Sequence, residues 1–161
     1  MSTVHRNVEL VTAALRAAGA DSGRVARLRV LPDAVSTAAA AAAALGVEVG
    51  QIANSLIFDS DGAPLLVLAS GAHRVDTEKV AALVGARHVR RATAEFVRAA
   101  TGQPIGGVAP VGHPAPLRTL VDRALQAHDE VWAAAGIPHS VFPTTFAELV
   151  AVTGGRPADV G

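Results

Sequence analysis

Cysteine and tyrosine are absent from this 161-residue chain, which has one tryptophan, one methionine and four phenylalanines. Without cysteine there is no disulfide framework, no thiolate nucleophile and no sulfur-ligated metal. Aromatic residues make up 3% of the chain while hydrophobic residues make up half, so Ala, Val and Leu must build the core. Each of these buries less area than a ring, and the core therefore needs many small contacts. Excess charge is lacking too: 14 Lys and Arg balance 14 Asp and Glu. That balance excludes a globally basic nucleic-acid binder and leaves only a local patch. The longest apolar run, residues 38–47, is too short to cross a bilayer, which takes about 20 residues. At the N-terminus, His5 and Glu9 interrupt what a secretion signal would keep apolar, so a cytoplasmic protein with no membrane partner is expected.

The remaining pattern reads as mixed helices and strands. Val8, Val11, Leu15 and Ala18 recur at helical spacing before Gly19, which predicts a helix over 4–18. The segment RVARLRVLP reads as a strand closed by Pro32. Ser36 and Thr37 are placed to cap an alanine-rich helix that stops at Gly46. Strands over 52–58 and 65–69 flank Asp61-Gly62, a hairpin turn pair. Asp76 opens a helix ending at Gly85, a short strand covers 87–90, and Thr93 caps a helix ending at Gly102. LRTLVD, EVWAAAG and HSVFPT are strand-like, and a last helix over 145–153 stops at Gly154-Gly155. Without a regular alternation, this order predicts an α+β fold with a mixed, strongly curved sheet flanked by helices. There is no internal repeat and no linker, so residues 1–161 are expected to form one domain.

The stretch TGQPIGGVAPVGHPAPLRTL, residues 101–120, carries the strongest signal for chemistry. It cannot be a helix interior, and it is too apolar for a solvated linker. Gly106 and Gly107 free the backbone for close approach, and Pro110 stiffens the turn and biases Ala109 toward extended geometry. Successive amides there can serve as an oxyanion hole or anion nest, or the segment can be a plain structural turn. His113 follows Gly112 at the loop exit, placed to act as general base or neutral hydrogen-bond partner. His73 and His139 stand at element ends, and no histidine spacing suggests zinc. No nucleophile elbow, P-loop or dinucleotide fingerprint is present, and Ser55, Ser70 and Ser140 carry no local mark of an activated nucleophile. Arg87, His88, Arg90, Arg91 and Arg98 form either a phosphate-binding patch or a solvated face balanced by Glu78 and Glu95.

The pieces QIANSLIF, LVLASGAHRVDTEKVAALVGA, TGQPIGGVAPVGHP, TLVD and VWAAAG, with the closing TGGRPADV, occur in an order that resembles the YbaK-type, prolyl-tRNA-synthetase-associated editing domains. The resemblance covers roughly 37–160. It implies a mixed sheet, partly closed into a barrel, and hydrolysis of the ester of a mischarged, tRNA-Pro-like aminoacyl-tRNA bearing a small amino acid. No metal or cofactor is implied. Gly106, Gly107, Ala109, Pro110 and Gly112 would form the loop that contacts the ester and terminal adenosine, with His113 beside it. Asn54 and Ser70 would bind substrate, with Ala133 and Ala134 leaving room for the amino acid, and Arg87, Arg90 and Arg91 would touch the tRNA. The sequence departs from the family where Asn54 replaces a frequent lysine, where Ala109 replaces a polar residue, and around Ala134. Two readings follow: a trans-acting deacylase meeting the acceptor end of aminoacyl-tRNA, or a non-catalytic module binding a tRNA end, nucleotide or protein. Hydrolysis of some other small ester or amide is a third, weaker one. A homodimer or a transient synthetase contact is compatible with either of the first two.

Overall fold

A hairpin of two long strands, β2 (Ile52–Ser60) and β3 (Ala63–Ser70), organises the molecule, which a computed structural model describes over residues 3–35 and 37–161. Its turn is the expected one. Asp61 and Gly62 have φ of 50° and 91°, the positive values that a two-residue turn matched to strand twist requires. The register then runs from Ser60 opposite Ala63 to Ala53 opposite Ser70.

Side chains alternate along β3 between two cores. Leu66 and Leu68 pack with Val11 and Leu15 of α1 (Thr3–Ala17), Val97 of α5 (Ala94–Thr101) and Leu149 of α6 (Phe146–Thr153). Leu65, Val67 and Ala69 pack with Val80 and Val84 of α4 (Thr77–Val84). A strand covered on both faces reads as an unbroken apolar run, and LLVLA is that run. Full burial of each leucine or valine there stabilises the fold by about 1.5–3 kcal/mol.

The eight-stranded sheet has the order β1-β7-β6-β2-β3-β5-β8, with β4 (Val89–Arg91) pairing with β2 off that path. Here β5 is Arg118–Asp122, β6 Val131–Ala134 and β7 Ser140–Thr144. Parallel pairs (β2 with β6, β3 with β5) and antiparallel pairs coexist, so the sheet is mixed as expected. On the α4 side, α3 (Ala38–Leu45) packs Ala41 and Ala42 near Ile52, Trp132 and Val141. Thr37, Asp76, Thr93 and Thr145 each cap a helix through a side-chain oxygen. Ser36, the other expected cap of α3, lies outside the described residues.

One local expectation is corrected, and one element is added. The strand read in RVARLRVLP shrinks to β1 (Arg29–Val30), because residues before it form a one-turn helix, α2 (Ser22–Val25). The Asp21 carboxylate accepts from the Arg24 amide and starts that turn, so a local cap outcompetes weak alternation. After Gly154 the chain forms β8 (Arg156–Ala158), parallel to β5, because pairing with a buried neighbour satisfies its backbone. No described helix is long and apolar enough to cross a membrane.

Candidate active site at the split edge of the central strand

One edge of β2 pairs with β3 throughout, but the other is shared by two strands. β6 covers it at Ile52 and Ala53, β4 covers it at Phe58 to Ser60, and on this edge no described strand pairs with residues 54–57. In an antiparallel strand alternate residues turn both main-chain groups to the same edge, so this gap exposes donors and acceptors. A cavity of ≈ 40 Å³ opens beside it. One water needs about 10–15 Å³ on this measure, so the space suits a group of roughly three non-hydrogen atoms. Its walls are Ile52, Ala53, Asn54 and Ser55 of β2, Trp132 to Ala134 of β6, Thr37, Ala38 and Ala41 at α3, and Pro138 and Ser140 at the β6–β7 turn. Gly106 and Val108 close it from the glycine loop, and none of the lining residues is charged.

The loop is braced from within. Thr101 Oγ1, at the end of α5, donates to Val97 O and accepts the Gln103 amide. Gln103 is buried; its Oε1 accepts the Ala109 amide at 2.7 Å and its Nε2 donates to Val111 O at 3.3 Å. The Gly107 amide donates to Pro104 O at 3.0 Å. The expectation that Gly107 and Ala109 offer free donors is therefore corrected: both amides are already used. The close approach that Gly107 permits is made by the protein itself. A Cβ built on it would lie 2.5 Å from the Ile137 carbonyl carbon. Pro110 is buried and has no amide hydrogen to offer, and Gly112 packs on Val11 of α1, away from the cavity. What remains is Gly106 and Val108. Both line the cavity, and among the described residues neither amide has a partner within the chain.

His113, expected beside the ester, stands outside this cavity. It lines a separate, open groove of ≈ 250 Å³ with Asn7, Leu10, Thr101, Gly102, Gln103, Gly112 and Pro114. Several polar groups of that groove serve the fold: Asn7 Nδ2 donates to Gly136 O, Gln103 braces the loop, and His113 Nε2 donates to Ala109 O at 2.8 Å. Burial lowers the His113 pKa below the ordinary histidine range, and the bond to Ala109 only partly opposes this. A lowered folded-state value means that the fold binds the proton less readily than the unfolded chain. The associated stability is complete above the unfolded value, about 6.5, and is lost as pH falls through the lower folded value. Acidification from neutrality to pH 5 is therefore expected to lower the melting temperature of the wild type more than that of His113→Gln. Parallel pH profiles by differential scanning calorimetry would contradict this role.

Four further residues, Ser70 and three arginines, sit apart from the cavity. Ser70 is buried, with its amide donating to Asp122 Oδ2 and its hydroxyl to Gly50 O, so its polar groups hold β3 to neighbouring loops rather than facing substrate. Arg87, Arg90 and Arg91 are exposed near the opposite end of β2, where Arg91 pairs with Phe58 and Arg90 with Asp59. At about 3.3 Å per residue this is roughly 16 Å from Asn54. Asp61 anchors this run by accepting the amides of Arg87 and His88, and these bonds hold its carboxyl below the usual carboxylate range. Among the described residues no ion pair engages Arg87, Arg90 or Arg91. Likewise, no cluster of His, Asp or Glu there could hold a metal.

The structure thus brings together Asn54, Gly106, Ala133 and Ala134 of the expected set, and leaves Gly107, Ala109, Pro110, Gly112, His113, Ser70 and the arginines outside. It adds Ser55, Val108, Pro138 and Ser140. Strand alternation could have placed Ser55 on the face shared with Ala53, but nothing local marks Pro138 or Ser140, which arrive through the β6–β7 turn.

Comparison with known proteins bears on this arrangement. The description of the aminoacyl-tRNA editing domain matches residues 32–152. A crystal structure described as that of a candidate trans-editing enzyme for prolyl tRNA synthetase is similar with a TM-score of 0.87 and 41% identity, covering 99% of this chain and 98% of that one. The hypothetical protein APE2540 is similar with a TM-score of 0.84 and 33% identity, covering 94% and 98%. The proline--tRNA ligase of Bacillus licheniformis is 30% identical in an alignment of 155 residues that covers 88% of this chain and 27% of the ligase. That of Nitratidesulfovibrio vulgaris is 35% identical over 88 residues, 55% of this chain and 15% of the ligase. The chain spans about a quarter or less of the length of these curated relatives.

Proposed function

The chain belongs to the aminoacyl-tRNA editing domain family, and from that premise we propose that it acts in trans as a deacylase that hydrolyses the ester of a mischarged, tRNA-Pro-like aminoacyl-tRNA carrying a small amino acid. The observation that carries this reading is the ≈ 40 Å³ cavity between Asn54, Ala133, Ala134 and Gly106. Its size suits a short side chain, and its position against the glycine loop puts unspent amides within the same walls. Likeness along nearly the full length of a chain described as a candidate trans-editing enzyme supports action on a tRNA charged elsewhere.

In this reading the terminal ribose and its ester lie along the open edge of β2, with the amino-acid side chain in the cavity. Water adds to the ester carbonyl, and the amides of Gly106 and Val108 hold the oxyanion. Collapse of the tetrahedral intermediate breaks the acyl–oxygen bond and releases the amino acid and the tRNA. Each such donor is worth about 2.7–4 kcal/mol in the transition state. Asn54 orients the adenosine end or the water through neutral hydrogen bonds. Further away, the exposed Arg87, Arg90 and Arg91, which no ion pair engages among the described residues, take phosphates of the tRNA.

A panel of purified mischarged tRNAs tests the proposal. Cleavage of at least one small aminoacyl ester above its spontaneous rate is expected, and binding without turnover across the panel would favour a non-catalytic module instead. Asn54→Lys is expected to raise kcat/KM about tenfold, since a charged donor outweighs a neutral one by roughly that factor. A drop would mean that Asn54 serves through its amide geometry rather than as a weakened substitute for a cation.

A further inference from the structure

The cavity contains one polar atom that the fold leaves unanswered. Ser55 Oγ is buried and has no hydrogen-bond partner, alone in this among the buried side-chain nitrogens and oxygens of the described residues. Other buried hydroxyls are all engaged: Ser70 with Gly50 O, Thr101 with Val97 O, Thr119 with Leu117 O, Ser140 with Ile137 O and Thr144 with Glu148. A hydroxyl kept unpaired in a packed interior calls for an explanation, and its location supplies one. Ser55 stands between Ala53 and Ile57 on the β2 face that packs into the core with Ala133 and Val108, and it lines the cavity with those two residues. It also lies on the uncovered stretch of β2.

We propose that Ser55 determines specificity by hydrogen-bonding a hydroxyl on the side chain of the bound amino acid, so that the preferred cargo is serine or threonine rather than alanine or valine. The inference rests on the deacylase reading above and narrows its substrate class. Two physical points select a hydroxyl. No carboxylate lines the cavity, so a charged ammonium pushed into it would be uncompensated, whereas a neutral hydroxyl can both donate and accept. In addition, any water that solvates Ser55 before binding must leave when cargo enters. A hydroxyl replaces its hydrogen bond and a methyl group does not.

The experiment compares tRNA charged with serine and with alanine on the wild type and on Ser55→Ala. The wild type is expected to favour the seryl ester by about tenfold in kcat/KM, the ratio that one net hydrogen bond supports. In Ser55→Ala this ratio falls to near one, because the loss on the seryl ester exceeds any loss on the alanyl ester. A merely structural role would lower both rates together. An unchanged ratio in the variant, or a wild-type preference for alanyl ester, overturns the proposal. If the wild type cleaves neither ester nor any other in the panel, the deacylase reading fails by itself. Ser55 is then judged by calorimetry with non-hydrolysable seryl and alanyl amides of 3′-amino-3′-deoxyadenosine. Tighter seryl binding that Ser55→Ala abolishes upholds the selection, and equal affinities overturn it.

Discussion

Gly107→Ala is expected to destabilise the protein by about 3 kcal/mol and to lower the proposed deacylation by about a hundredfold. The cause is space rather than backbone conformation, because Gly107 is not among the residues with positive φ. A Cβ there would lie 2.5 Å from Ile137 C, 2.7 Å from Ile137 Cα and 2.7 Å from Pro138 N. All three are main-chain atoms, so no rotamer change relieves the overlap, and the loop and the β6–β7 turn must separate. That separation carries Gly106 and Val108 away from Pro138 and Ser140 on the facing wall of the cavity. A displacement of about 1 Å is enough to lose two orders of magnitude in a reaction that depends on positioned donors. At this chain length the stability loss corresponds to a fall of roughly 6–12 °C in Tm. A variant with wild-type Tm and turnover would show that the turn yields freely and that the close approach does not hold the site.

Asp122→Ala is expected to cost about 3–5 kcal/mol, read as a shift of the urea midpoint. Asp122 is 1% exposed, and its carboxyl accepts the Ser70 amide at 2.9 Å, the Ala124 amide at 3.0 Å and the ring Nε2 of His73. Truncation leaves the buried Ser70 amide without a partner and removes a tie between the end of β3 and the short turn of helix at Arg123–Ala127. Asp122→Asn, which keeps one acceptor oxygen, is expected to fall between wild type and alanine. Equal stability of the two variants would assign the effect to lost charge rather than to lost acceptors, and a cost below about 1 kcal/mol for alanine would refute the tie altogether.

Local chemistry made much of the fold legible in advance. Asp61-Gly62 specified the central hairpin because only turn residues tolerant of positive φ fit between its strands. Thr37, Asp76, Thr93 and Thr145 announced helix starts because each reaches an amide three residues or fewer away. The misread segment around residues 22–30 shows the boundary of that logic: two signals of short range, an aspartate cap and imperfect alternation, competed over the same residues.

The site was legible only in part, and the reason is distance along the chain. That Asn54 lies near the glycine loop and that Ala133 and Ala134 face a small space followed from the sequence together with its family resemblance. Which amides are free depended on Gln103 reaching across to Ala109, and on Ile137 and Pro138 arriving against Gly107 from thirty residues further on. Which side of the loop His113 occupies was set by the carbonyl of Ala109 and by the packing of α1. Sequence alone determined most of the elements, their caps and the family, because those depend on contacts between near neighbours and on a recognisable order of motifs. Tertiary structure alone decided which polar groups were consumed by folding and which, like the Ser55 hydroxyl, were left unpaired, because a hydrogen bond is exclusive and its partner can come from any part of the chain.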